Sequence, residues 1–153
     1  MFVKVVLWFL SLYDRKLEED IKTKNSFDNS VRFFNPRRTE IKGNVKIGPG
    51  SYINSGNIIS GKNSSVEIGE NCAIGHNVNI ISITHSLQKP TGSNLMHEES
   101  SIKVGSNVWI GSNVFIKHGI QIHDNAIIGA NSVVVRDVEE YDIIGGVPAK
   151  FIK

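Results

Sequence analysis

The chain has 153 residues and a mass of 16.9 kDa, with 40% apolar and 21% charged residues. That is the size of one domain and the composition of an ordinary globular protein, which excludes broad disorder. Seventeen basic and fifteen acidic side chains leave a formal charge of +2 and a pI near 8.7. This falls short of the concentrated basic patch that nucleic-acid binding requires, so no nucleic-acid partner is expected.

The chain opens on FVKVVLWFLSLY, an almost continuous apolar run from Phe2 to Tyr13 that stops at Asp14. A transmembrane helix needs ~20 apolar residues. A secretory signal needs a basic leader and a small-residue cleavage site, whereas DRKLEEDIK follows here. Residues 1–24 therefore read as an N-terminal helix, apolar first and charged later, and residues 25–153 as a separate body. Because apolar residues encircle the helix, packing on its own domain or a neighbouring subunit is expected ahead of peripheral contact with a membrane.

From Ile41 a six-residue repeat sets in. Its aliphatic positions are Ile41, Ile47, Ile53 and Ile59; Ile68, Ile74 and Ile80; and Val104, Ile110, Ile116, Ile122, Ile128 and Val134. Ile59 and Ile68 are nine apart, which places a three-residue insertion near Gly61, Lys62 and Asn63. Glycine follows the aliphatic residue at positions 48, 69, 75, 105, 111 and 129. Asparagine stands three after it at positions 71, 77, 107, 113, 125 and 131. Both residue types tolerate a left-handed backbone and are expected to turn the corners. A small or β-branched residue stands four after it, at Cys72, Val78, Val108, Val114, Ala126 and Ser132, and is expected to share a narrow core with the aliphatic residue. A period of six with recurrent Gly and β-branched residues excludes helix across this region and predicts short strands coiled into a solenoid. Terminal coils of a solenoid need capping, and the aromatics of RFFNPRR (Arg32 to Arg38) are expected to shield the open end. Cys72, the only cysteine, is expected to be core. A lone cysteine excludes an intrachain disulfide and a CxxC site and suits a cytoplasmic setting.

These hexads, the stretch GSNVWIGSNVFI and the ending GGVPAKFIK resemble the hexapeptide-repeat acyltransferases over roughly residues 41–153. The resemblance implies an all-β solenoid, a left-handed parallel β-helix, assembled as a homotrimer with active sites at subunit interfaces. The short O-acetyltransferases acting on sugars, such as the galactoside and maltose enzymes, are most similar. They imply acetyl-CoA as co-substrate, a sugar or polysaccharide precursor as acceptor, and no metal.

One break interrupts the solenoid, an extruded loop at 86–101 following SITHSL. Long loops inside compact repeats are commonly functional. The sugar acetyltransferases carry their catalytic histidine at this place, which implies His85. A neutral imidazole can take the proton of a sugar hydroxyl as it attacks a thioester, then return it to the leaving thiolate. Glu98 and Glu99 are conceivable partners for the ring, and His97 is placed to line an acceptor pocket. His76, His118 and His123 fall at corners, where surface roles are expected.

For the co-substrate, Lys103, Lys117, Arg136, Lys150 and Lys153 supply positive charge in the final coils. By resemblance, the backbones of Ser112 and Ala130 contact the pantetheine arm, and Arg136, Lys150 and Lys153, in the C-terminal tail 144–153, lie near the phosphates. Trp109 flanks the cofactor groove or packs in the trimer. Asn54 or Asn57 stands where relatives use an asparagine for the acceptor. N-acetylation of an amino sugar uses the same fold and histidine. A γ-carbonic-anhydrase-like zinc enzyme or a non-catalytic scaffold shares the fold without the chemistry. The zinc enzymes' local H-x4-H pairing is matched in form only by His118 and His123.

Overall fold

The computed structural model describes residues 2–86 and 96–153. It opens with helix α1 (Phe2–Asn25), whose last turn carries Lys22 and Lys24 where the helix dipole favours cations. The turn after it starts at Ser26, at φ 55°. From there the chain winds as a left-handed parallel β-helix.

The opening coil is built from β1 (Arg32–Phe33), a 3₁₀ turn (Pro36–Arg38), β2 (Thr39–Lys42) and β3 (Val45–Ile47). The next holds β4 (Tyr52–Ile53), β5 (Gly56–Ile59) and β6 (Val66–Ile68). Then come β7 (Ala73–Ile74) and β8 (Val78–Ile81), an excursion formed by β9 (Ile83–His85) and β10 (His97–Glu99), and β11 (Ile102–Val104). The most regular coil is β12 (Trp109–Ile110), β13 (Phe115–Ile116) and β14 (Gln121–Ile122). After β15 (Ile127–Ile128), β16 (Val133–Val134) and a bridge from Val138 to Ile122, the chain forms β17 (Ile143–Gly145) and folds back through β18 (Lys150–Phe151). Each coil lays its strands on those below, giving three sheets that are the faces of a triangular prism. The first runs β1-β4-β7-β12-β15-β17-β18, the second β2-β5-β8-β13-β16, and the third β3-β6-β11-β14.

The core is the repeat itself. Ile53, Ile74, Ile110 and Ile128 stack up one face, all essentially inaccessible to solvent. The residues four positions on, Cys72, Val78, Val108, Val114, Ala126 and Ser132, fill the corners between faces and are also buried. Cys72 is core, as expected: its thiol donates to Gly105 O at 3.0 Å, and burial pushes its pKa up.

The two corner residues divide the work differently from expectation. All six repeat asparagines take the left-handed conformation, with φ between 53° and 62°. Their side chains also bond along the stack, Asn77 Nδ2 to Asn113 Oδ1 and Asn113 Nδ2 to Asn131 Oδ1, each at 3.1 Å. The repeat glycines keep ordinary φ. At all of them but Gly129 the coil above passes too close for a side chain: a Cβ on Gly111 would stand 2.6 Å from Ala130 N, and one on Gly75 2.7 Å from Ser112 N.

The register before β6 also differs from expectation. Ile58 is buried and pairs with Ile41 and Ile80, whereas Ile59 is only half-buried. Ile58 follows Ile53 by five residues and Ile68 follows Ile58 by ten. The net insertion of three is thus a corner one residue short at Asn54–Ser55 followed by four extra residues before Val66. A count of aliphatic spacings alone cannot separate the two.

At the N-terminal end Phe33 is buried and stacks on Phe27, with ring centroids 6.0 Å apart. Phe34 differs from the capping expectation: it is exposed and lies edge-on to Tyr52. The second half of α1 docks here. Arg32 Nε and Phe33 N–H donate to Glu18 Oε1 at 3.0 and 3.2 Å, and Arg37 holds Asp14 through Nε and Nη2 at 2.6 and 2.7 Å. The first half contacts nothing comparable; Val3, Leu7, Trp8 and Phe9 are each more than half exposed. Packing of that half on its own domain is therefore not what the structure shows.

Candidate active site

The extrusion expected at 86–101 begins earlier, and its tip, residues 87–95, lies outside the described residues. What is described is its base, an antiparallel ribbon in which Ile83 faces Glu99, Thr84 faces Glu98 and His85 faces His97. The ribbon forms because Ser82, buried at the end of β8, turns the chain outward, and Ser100 N–H returns to bond Ser82 O at 3.0 Å.

The residues inserted before Val66 buttress this base. Asn63 N–H donates to Glu99 Oε2, Ser64 Oγ lies 2.7 Å from Ser82 Oγ, and Ser65 N–H donates to Ser101 Oγ at 3.0 Å. The two departures from the repeat are therefore one device. Glu99 serves this joint, and Glu98 Oε1 accepts from Ser86 Oγ at 2.8 Å. Neither carboxylate is bonded to the His85 ring.

His85 and His97 stand across the ribbon with ring centroids 4.8 Å apart. Both open into a cleft of about 620 Å³ whose apolar floor is Ile81, Ile83 and Phe115. Thr84, Glu98, Lys117 and His118 supply its polar groups. His118, expected to be a bystander at a corner, belongs to this cleft. The signal for it was available: Ile116 stacks on Ile80, so two residues past Ile116 the chain passes beside the start of the excursion. Lys117 likewise faces the histidines.

The C-terminal residues expected near acetyl-CoA fall in two further clefts. Trp109, Ser112 and Ala130 line one of about 430 Å³, with Tyr52, Ile127 and the stacked glycines Gly75, Gly111 and Gly129. Its donors follow from the sequence. His76 N–H is satisfied by Ser112 Oγ at 3.1 Å in the coil above. The equivalent position one coil further is Ala130, which has no hydroxyl, and no acceptor among the described residues takes the Ser112 or Ala130 amide. The glycines remove every Cβ that would block approach to these two N–H groups. Arg136 and Lys150 line a neighbouring cleft of about 220 Å³ with Phe151. Lys153 is exposed just beyond, at the chain end, and its N–H reaches Ile143 O. Lys103 points out from the third face, away from all of these.

Asn54 and Asn57, paired in expectation, separate. Asn54 lines the Trp109 cleft and donates to Ile74 O at 3.1 Å. Asn57 lies on the second face and donates to Asn79 Oδ1 at 2.7 Å, in the row that continues to Phe115. His76 is exposed at a corner, and His123 is half-buried on the third face. Among the described residues no three His, Cys, Asp or Glu side chains converge in a way that could hold a metal ion.

Comparison with known proteins bears on the repeat and the fold. Residues 101–136 match the family described as bacterial transferase hexapeptide (six repeats). The galactoside O-acetyltransferase of Escherichia coli K12 is 36% identical over 110 residues, covering 72% of this chain and 54% of that protein. A chloramphenicol acetyltransferase of Morganella morganii is 32% identical over 133 residues, covering 84% and 60%. Among solved structures, a galactoside acetyltransferase in complex with coenzyme A superposes with a TM-score of 0.66 at 33% identity, covering 80% of this chain and 58% of that one. The chain thus spans little more than half the length of these relatives.

Proposed function

Because the chain belongs to the hexapeptide-repeat acyltransferase family, we propose that it is an acetyl-CoA-dependent O-acetyltransferase whose acceptor is a sugar or polysaccharide precursor. The observation that carries this reading is the coexistence of an exposed histidine in an amphipathic cleft with a second cleft presenting two unpaired backbone amides. Ser112 and Ala130 N–H would bond the amide carbonyls of a pantetheine arm, while Arg136, Lys150 and Lys153 meet its phosphates. In the histidine cleft, the aromatic and aliphatic floor suits the C–H face of a sugar ring, and the polar rim suits its hydroxyls.

In the mechanism His85 removes the hydroxyl proton as that oxygen attacks the thioester carbonyl. The C–S bond then breaks, the acetyl group stays on the acceptor oxygen, and the imidazolium returns the proton to the thiolate. Transfer is direct, because the one cysteine is buried with a raised pKa and cannot serve as nucleophile.

The two clefts lie on different faces of one prism and share no lining residue. In this reading the described residues of one chain do not make up a complete site by themselves. A closed three-fold ring resolves this by setting the histidine face of one subunit against the amide cleft of the next, and it covers the exposed Trp109 and Phe115. Sedimentation equilibrium checks the trimer.

The function is tested by mixing the purified chain with acetyl-CoA and a panel of glycosides, amino sugars, serine and chloramphenicol while monitoring free thiol. Thiol release dependent on a glycoside hydroxyl is expected. Release only with amino sugars moves the reading to N-acetylation, and failure to bind acetyl-CoA in calorimetry overturns it.

A further inference from the structure

Among the described residues the first half of α1 meets the solenoid only at its end, where the Arg37 guanidinium lies 5.9 Å from the Tyr13 ring centroid. Val3, Val5, Val6, Leu7, Trp8, Phe9, Leu10, Leu12 and Tyr13 are all exposed, by 37–67%. The sequence suggested a helix apolar on every side; its arrangement in α1 is more particular. Lys4, Ser11, Arg15, Glu18 and Lys22 recur at intervals of seven, four, three and four, so they form one narrow polar stripe along the helix. The remaining circumference of the first three turns is apolar.

The lower part of this helix is anchored to the solenoid by Asp14–Arg37 and Glu18–Arg32. The apolar half extends beyond these two ion pairs with its side chains exposed. No helix among the described residues is long and apolar enough to cross a membrane.

We propose that residues 2–13 are an interfacial anchor that embeds in one leaflet of an anionic lipid membrane. A flat protein surface buries a single apolar face of a helix, whereas this segment exposes apolar side chains over most of its circumference. A helix lying in the headgroup–acyl boundary can bury such a broad face ~5–10 Å deep and leave a narrow polar stripe at the water. The stripe then holds Lys4 and Arg15 at headgroup level, where lysine snorkels readily. Trp8 borders the polar stripe, at the edge of the apolar surface, and is a residue type that settles at a membrane interface.

Charge selects the lipid. Lys4, Arg15 and Lys16 form no ion pair among the described residues. Asp14 is neutralised by Arg37, and Glu18 is shared between Lys22 and Arg32, so the acidic groups nearest the apolar segment are already matched. Glu19 and Asp20 lie one turn further on, past the segment that would insert. Anionic headgroups are worth ~1 kcal/mol per nearby Lys or Arg.

The test is co-sedimentation of the full chain with two vesicle populations, phosphatidylglycerol mixed with phosphatidylethanolamine, and phosphatidylcholine alone. The native chain is expected to pellet with the anionic vesicles at least tenfold more strongly than with the neutral ones. The double variant Trp8→Ser, Phe9→Ser should lose at least tenfold in vesicle binding while its solution mass and melting temperature stay native. Lys4→Ala with Lys16→Ala should lose binding that high salt also removes. A native chain that ignores anionic vesicles overturns the proposal. So does a Trp8, Phe9 double variant that dissociates a native oligomer in vesicle-free solution, since a second copy would then be the helix's cover. Neither readout uses acetyl-CoA, so this result is independent of the transferase assay.

Discussion

The coils from β11 to β16 and the two coils before them are built from the same hexad, yet they do different things. From Val104 to Val134 the aliphatic residues never miss a sixth position, and Asn113 donates to Asn131 in the coil above. Nothing leaves the prism there, and its first face offers a ligand glycine corners and two free amides beside Trp109. Between Asn54 and Ser101 the repeat is shortened by one residue, lengthened by four and then opened into a ribbon. All of the side-chain chemistry of the histidine cleft comes from that opening or from residues directly above it. Regularity supplies a rigid rack, and departures from it supply functional groups, as expected when loops carry function on a fixed scaffold.

The comparison is broken most sharply at His85. With His85→Ala, kcat should fall by ~10²–10⁴-fold, the usual contribution of a positioned general base. Acetyl-CoA affinity should hardly move, because the amide cleft shares no residue with the histidine cleft. His97→Ala, assayed with the same acceptor, should raise KM with kcat largely kept. The reverse pattern would transfer the base to His97.

The next largest effect falls on the rack. Gly111→Val places a branched side chain where even a Cβ would stand 2.6 Å from Ala130 N. The coils above must shift, and a loss of ~1–3 kcal/mol in stability is expected, read as a lower denaturation midpoint. Gly129, where the nearest atom is Ile144 O at 3.3 Å, should tolerate alanine far better. Equal losses at Gly111 and Gly129 would mean that close stacking is not what selects glycine.

The joint between the two departures comes third. Glu99→Ala leaves Asn63 N–H without its acceptor and unpins the inserted residues from the ribbon. Because Asn63 is exposed and water can take over its N–H, a cost of about 1 kcal/mol or less is expected. Since the ribbon positions His85, kcat should fall with it while acetyl-CoA binding stays native. Unchanged kcat in a clearly destabilised variant would separate the buttress from the site.

Much of this was legible in the sequence because a solenoid converts period directly into position. The inward aliphatics, the buried corner residues, the core role of Cys72 and the opening after β8 all follow from counting by six. What counting missed has physical causes. Ile58 replaced Ile59 because a short corner and a long one cancel in part. Glycine's role was misassigned because close stacking involves the next coil, which local propensity does not see. The parting of Asn54 from Asn57 followed from the same short corner, which sends them to different faces. His118 was missed because its neighbour is an excursion 20 residues or more away in the chain.

The smallest expected effect tests where the solenoid meets its one helix. Burial pushes the Glu18 carboxyl up, but hydrogen bonds from Phe33 N–H, Lys22 and Arg32 outweigh it, so its pKa lies below the ordinary 4.5. A carboxylate depressed in the folded state contributes stability that is fully present above its unfolded value. That contribution is lost as pH falls through the lower, folded value. Docking of α1 should therefore be unaffected between pH 7 and about 5 and should weaken below about 4.5. Asp14 and Asp28 are also lowered, the first mainly by the Arg37 hydrogen bond and the second by Ser30, so a melt of the native chain alone mixes three groups. Glu18→Gln isolates one of them, since the amide keeps the shape and an acceptor but does not titrate. The variant should be less stable than the native chain at pH 7 by about 1 kcal/mol or less, as for a partly exposed ion pair. The gap should close as pH is lowered toward 3. The Phe33 amide should show the same convergence in hydrogen exchange, because its N–H bonds Glu18 directly. A gap that stays constant with pH would show that the Glu18 charge contributes nothing to docking and would leave the helix to the Asp14–Arg37 pair and the packing of Ile21.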